Sequence, residues 1–204
     1  MKTLPNLGAA EQVLAAADAE GRSNKALRNR VLVNCLHSTG ARISELLALK
    51  WSDVDWEQKR AWITAGKNSN DHYAFFHDEC LAVMQQYARA RKVEDFTALV
   101  PSTIRGHDPL SRHQAHSIVV ELARSAGVKN FGPHSFRHNL GIRNVRATGN
   151  IRMAQMLLGH KSIETTAIYY STLLPEDLAA GHLTVFSQSP TAPAQIVGTI
   201  WNGQ

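Results

Sequence analysis

The sequence predicts a mainly α-helical domain with one small antiparallel β-sheet, an α+β fold. Two observations carry that prediction. Apolar residues recur at helical spacing through most of the chain, in segments bounded by Gly, Ser, Asn, Asp or Pro. One stretch, Lys59 to His77, breaks the period with aromatic and β-branched residues on both sides of a turn-prone GKNSND. At 204 residues with 44% hydrophobic and 19% charged side chains, the chain can bury one sizeable core and lacks the signature of disorder.

The elements follow in order. AAEQVLAAADAEG is rich in strong helix formers and ends at Gly21. Ser23 or Asn24 caps a second helix carrying Leu27, Val31, Leu32 and Cys35, and Gly40 terminates it. ISELLALKW is a short amphipathic helix, and KRAWIT and HYAFFH form a β-hairpin around GKNSND. Asp78 caps a helix to about Lys92, and an extended piece at Leu99 and Val100 meets Pro101. Ser111 and Gln114 have the spacing of a capping box for a helix that stops at Gly127. Pro133 opens a helix to about Gly149, Asn150 caps the next as far as Gly159, and Ser162 or Ile163 begins one that carries Tyr169 and Tyr170. Pro175 starts a last short helix. Residues 1–182 are read as one domain and residues 183–204 as a flexible C-terminal tail, whose Pro/Ser/Ala-rich SQSPTAPAQ precedes an apolar IVGTIW. That end is either a docking peptide or an unstructured terminus.

The net charge of +5 favours a polyanionic partner, because clustered Lys and Arg displace counterions from phosphates. Charge alone is a weak pointer to nucleic acid. Cys35 and Cys80 are too far apart in sequence for a metal or redox motif and are expected as buried free thiols in a reducing compartment. None of the ten histidines has HExxH or Cys/His zinc spacing, so no metal and no cofactor are expected. No segment has the apolar length of a signal peptide core or a membrane span, and the expected location is cytoplasmic, with the nucleoid.

Several residues could carry chemistry, each with a plainer reading. His134 and Arg137, three apart in PHSFRH, share a helix face near an N-terminus, where a guanidinium fork and free N–H groups suit a phosphate; a surface pair without a role has the same spacing. His160 follows LLG, and Tyr169 comes nine residues later. A phenol needs cationic surroundings or a base before it is nucleophilic at neutral pH, and a helical tyrosine is usually packing. Arg42 stands at a helix break, where its alternative is an ion pair with Glu45. Lys67 lies in the hairpin turn, where a solvated charge is the ordinary case.

Taken together and in this order, the segments resemble the tyrosine recombinase (phage integrase) family. TGARISELLALKWSDVDW is similar to its first box and gives Arg42; AGKNSNDHYAFF is similar to the hairpin bearing its lysine and gives Lys67. GPHSFRH resembles the His-x-x-Arg box, with His134 and Arg137, and MLLGHKSIETTAIYY resembles the final box, with His160 and the nucleophile Tyr169. The likeness runs from about Asn6 to about Gly181, and four boxes in sequence are far more specific than one. It departs in the cationic stretch NLGIRNVRATGNIRMAQML between Arg137 and His160, and in the second tyrosine, Tyr170.

The resemblance implies a site-specific recombinase acting on double-stranded DNA as a homo-oligomer, a tetramer, without metal or nucleotide. Tyr169 would form a 3′-phosphotyrosyl link; Arg42, Arg137 and His160 would stabilise the phosphate, Lys67 would protonate the leaving 5′-oxygen, and His134 would support the phosphate or accept the tyrosyl proton. Full-length members carry a preceding helical domain that completes a clamp. A chain beginning so near the catalytic domain is expected to be either a fragment or a short recombinase of the fimbrial-switch type, and Met1 and the tight entry into the first helix favour the latter. Two rivals stand beside it: a type IB topoisomerase-like strand-relaxing enzyme, which shares the chemistry and much of the site, and an inactive DNA-binding protein that keeps the fold.

Overall fold

A computed structural model describes residues 7–64, 66, 70–91, 97–102, 108–169, 176 and 177. The chain divides into two units, Met1–Thr172 and Leu173–Gln204. Of the second only Glu176 and Asp177 are described, so the helix expected from Pro175 and the tail lie almost wholly outside the described residues.

In the first unit the helices begin where the sequence supplies caps. α1 spans Ala9–Ala19. α2, Asn24–Thr39, starts with the Ser23 hydroxyl accepting from the Ala26 N–H at 3.1 Å and stops at left-handed Gly40. α3 is the short Ile43–Ala48. The sheet has three antiparallel strands in the order β1 (Val54–Asp55), β2 (Arg60–Ile63) and β3 (His72–Phe75), with Ile63 opposite His72 and Arg60 opposite Phe75. β2 and β3 are the hairpin expected from the sequence. β1 was not expected, because two residues are too few to show a period of two.

α4 is Asp78–Arg91 and α5 is Arg112–Ser125, the latter opened by the Ser111–Gln114 capping box. The extended piece at 99–100 is held by isolated bridges, Lys50 to Ala98 and Pro101 to Pro109. α6 (Pro133–Thr148), α7 (Ile151–Leu158, capped by Asn150) and α8 (Ile163–Ala167) complete the unit. One expectation is corrected here. α8 ends at Ala167, so Tyr169 sits in a turn beyond it instead of on a helix, while Tyr170 lies outside the described residues. The β-branched Ile163, Thr165 and Thr166 favour helix weakly, and tertiary contacts decide where so short a helix stops.

α2 is the axis of the fold. It packs against α1, α4, α5 and α6, which leaves it buried nearly all round. Val31, Leu32, Val33, Cys35 and Leu36 are fully enclosed. Cys35 faces Cys80 of α4 at 3.8 Å between sulfurs, both as free buried thiols. The buried Arg28 is satisfied by Asn29 Oδ1 at 2.9 Å, and Asn29 donates in turn to Glu20 at 2.7 Å. The ends of α2 and α7 and the starts of α6 and β3 converge on one region, where the candidate residues collect.

Candidate active site

Arg137 lies in the second turn of α6, four residues after Pro133, and its side chain is 1% exposed. A buried guanidinium must be hydrogen-bonded. Nη1 donates to the Gly40 carbonyl at 3.0 Å, where α2 ends, and Nη2 donates to the Leu158 carbonyl, where α7 ends. Two helix C-termini, each the negative end of its dipole, thereby hold one cation. Only two of its five N–H groups serve these carbonyls. Burial, and then the charge of Arg42, bring its pKa down to about 10, opposed by Glu45 and Tyr169.

Arg42 caps α3 and is partly exposed. Its Nη1 bonds Glu45 Oε1 at 2.7 Å, and its backbone N–H bonds Glu45 Oε2 at 2.8 Å. The ion pair offered by the sequence as the plain alternative therefore exists, and it aims the arginine without removing it from the site. Arg42, His134 and Arg137 line one cavity of about 410 Å³ between α3, α5 and α6, together with Arg112 and His116. His134 is exposed at its rim, and its pKa is lowered by burial and by Arg137 and Arg42.

His160 follows Gly159 at the end of α7 and is 5% exposed. Its Nδ1 meets the Thr166 hydroxyl at 2.9 Å; when that hydroxyl donates to Nδ1, the proton sits on Nε2, and when it accepts, on Nδ1. Burial lowers its pKa first, then Arg137, Arg42, His134 and His72, to about 4. The imidazole is neutral at neutral pH and can still donate. Tyr169 is 2% exposed, with its ring 6.4 Å from that of His160 and 5.3 Å from that of His138. Burial raises the phenol's pKa, and Arg137 opposes it. The ring rests on Gly141 of α6, where any Cβ would overlap it.

Five of the six predicted residues, Arg42, His134, Arg137, His160 and Tyr169, are thus brought into one electrostatic neighbourhood. The sixth, Lys67, lies outside the described residues. Sequence reasoning missed four side chains of the region: Arg112 and His116 on α5, His72 on β3, and Thr166. The first two are polar positions on an amphipathic helix and give no sequence signal. Among the described residues no group of three or more His, Cys, Asp or Glu could hold a metal ion, and no helix is long and apolar enough to cross a membrane.

An apolar groove of about 880 Å³ opens between the outer face of the hairpin and α7. Trp62, Tyr73 and Phe75 line one side and Met153 and Met156 the other, and all five are exposed.

Residues 8–174 match the phage integrase family. The chain is 32% identical over 168 residues to tyrosine recombinase XerA of Pyrococcus furiosus, covering 82% of this chain and 58% of that protein. It is 32% identical over 174 residues to tyrosine recombinase XerD of Corynebacterium glutamicum, covering 81% and 57%. A crystal structure of XerA recombinase superposes with a TM-score of 0.72 at 26% identity, covering 93% of this chain and 65% of the other. The chain spans about half the length of the relatives it matches.

Proposed function

This chain belongs to the phage integrase family, and on that premise we propose that it cleaves and rejoins double-stranded DNA at specific sites through a 3′-phosphotyrosyl intermediate. Its similarity to two tyrosine recombinases over four-fifths of its length supports the reading. The observation that carries it is the buried guanidinium of Arg137, pinned by two helix ends beside a partly exposed Arg42, with a phenol and a neutral imidazole in the same field.

In this proposal a backbone phosphate enters the cavity beside Arg42 and Arg137. As the Tyr169 oxygen bonds to phosphorus, negative charge grows on the non-bridging oxygens, and both guanidinium groups, already oriented, neutralise it. His160 donates from Nε2 to one of those oxygens. The bond from phosphorus to the 5′-oxygen breaks and Lys67 protonates the leaving oxygen; His134 supports the phosphate or takes the phenolic proton. The 5′-hydroxyl of a partner strand later reverses the step and releases the tyrosine. Residues 1–182 would form the catalytic domain, working on DNA as a homo-oligomer, a tetramer, in the cytoplasm with the nucleoid. The apolar groove beside α7 supports the assembly, since exposed aromatic and methionine side chains of this kind suit a protein partner, and residues 183–204 are its proposed docking segment.

Covalent capture on a nicked suicide duplex tests the proposal. Wild type and Tyr170→Phe form a DNA adduct that survives denaturing electrophoresis, and Tyr169→Phe forms none. A normal adduct with Tyr169→Phe rejects the assignment. Relaxation of supercoiled plasmid without strand exchange would favour the topoisomerase-like rival.

A further inference from the structure

Among the side chains that the sequence did not single out, His72 is tied to a proposed phosphate ligand by a chain of contacts that starts in another element, the β-sheet. It is the first residue of β3, opposite Ile63, and is 6% exposed. Its Nδ1 lies 3.0 Å from the Asn70 carbonyl, which can only accept, so Nδ1 carries the proton. Its Nε2 is buried with no hydrogen-bond partner. A buried, unpaired acceptor is unfavourable, and an apolar side chain would avoid it, but only a donor in this place can reach the Asn70 carbonyl.

The ring lies against Gly159, where a Cβ would overlap His72 Nδ1 and stand 2.8 Å from the Asn70 carbonyl oxygen. With a φ of +61°, Gly159 is thus required twice, by the left-handed end of α7 and by the imidazole on it. Asn70 completes the clasp, its N–H donating to the Gly159 carbonyl at 3.0 Å and its Nδ2 reaching the His160 carbonyl at 3.5 Å. From the opposite side Gln155 Nε2 donates to the His160 carbonyl at 3.0 Å, and the His160 N–H donates to the Gln155 carbonyl at 3.0 Å.

We propose that His72 is a positioning residue for His160: seated on Gly159 and bonded to the Asn70 carbonyl, it locks the start of β3 to the end of α7 and so fixes the backbone that presents the His160 imidazole. It rests on the reading of His160 as a phosphate ligand. Small displacements of a positioned group cost rate steeply, and the His72 side chain is buried away from the surface. Its loss therefore lowers the rate of the chemical step and leaves DNA affinity alone.

The test uses the whole chain, with single-turnover adduct formation on the nicked duplex and a separate affinity measurement. His72→Ala is expected to slow adduct formation roughly 10- to 100-fold at unchanged affinity. His72→Asn, whose amide N–H can take the place of Nδ1–H, is expected to restore most of the rate. In a His160→Ala background, His72→Ala is expected to add little, since the two act on one contact. Loss of rate with His72→Asn equal to that with His72→Ala, or multiplicative losses in the double variant, overturns the proposal. Nitrogen NMR of the His160 ring reads the position without catalysis. Its signals are expected to move in His72→Ala and stay in His72→Asn, and signals unmoved by His72→Ala also overturn it. A wild type that forms no adduct rejects the functional reading, while the NMR result still decides the clasp.

Discussion

At the scale of single residues, Arg137 does two jobs with one side chain. It closes the ends of α2 and α7 through the Gly40 and Leu158 carbonyls, and it supplies fixed positive charge to the cavity. A lysine keeps the charge but offers a single ammonium in place of a planar fork, so it cannot hold both carbonyls and face a phosphate in the same geometry. Arg137→Lys is therefore expected to lower the single-turnover adduct rate by about two to three powers of ten, the usual cost of losing one such preorganised donor. It should also lower the melting temperature, because two buried carbonyls lose a well-placed partner. A variant that melts early yet cleaves at the wild-type rate would leave Arg137 a purely structural role.

At the scale of elements, α6 is both the carrier of the His134–Arg137 pair and the bench on which Tyr169 rests. Gly141→Ala separates these two roles. Alanine is favoured over glycine in a helix interior by about 1 kcal/mol, so α6 itself should not suffer, but the new methyl takes the place of the Tyr169 ring. The ring is expected to leave its seat, and the phenol's pKa, raised by burial, is expected to fall back toward the ordinary tyrosine value. Ultraviolet titration of Gly141→Ala against Gly141→Ala with Tyr169→Phe reads the change from that single phenol. An unchanged titration would mean that the ring finds another buried position.

Most elements were legible in the sequence because their boundaries are chemical: Ser23, Ser111, Pro133 and Asn150 open helices, and Gly40, Gly149 and Gly159 close them. The hairpin was legible because aromatic and β-branched residues stand on both sides of the turn-prone GKNSND. What was not legible is non-local. The end of α8 depends on what its last residues pack against, and β1 is too short to carry a pattern. The candidate residues stand in the sequence as motifs in order, but the clasp of Asn70 and His72 on Gly159, separated from it by almost ninety positions in the chain, leaves no local trace. The proximity of Cys35 and Cys80 is equally silent in a sequence where they stand 45 residues apart.

At the scale of the whole molecule, assembly and stability are the properties to test. If residues 183–204 dock on a second copy, a chain cut after Ser187 should lose its oligomeric form on DNA in sedimentation while still binding the duplex, and an unchanged assembly would remove the docking role. Stability should depend on pH in a direction set by histidines. His37, His72, His134, His138 and His160 all have pKa values lowered, chiefly by burial. Below the ordinary value of 6.5 the unfolded chain therefore binds more protons than the folded one, and acid draws the equilibrium toward unfolding. The folded state is fully favoured by these groups above about pH 6.5. That advantage is lost as pH falls toward about 4, where His160 itself titrates in the folded protein. At about 1.4 kcal/mol per pH unit, the buried His160 alone contributes at most about 3.5 kcal/mol. Urea unfolding followed between pH 7.5 and 4 should show a midpoint that falls steadily below about 6.5, and His160→Gln, which removes the titrating group, should flatten the slope. A midpoint indifferent to pH across that range would mean that these histidines titrate at the same pH in the folded and unfolded chain, and the low pKa assigned to His160 would be lost.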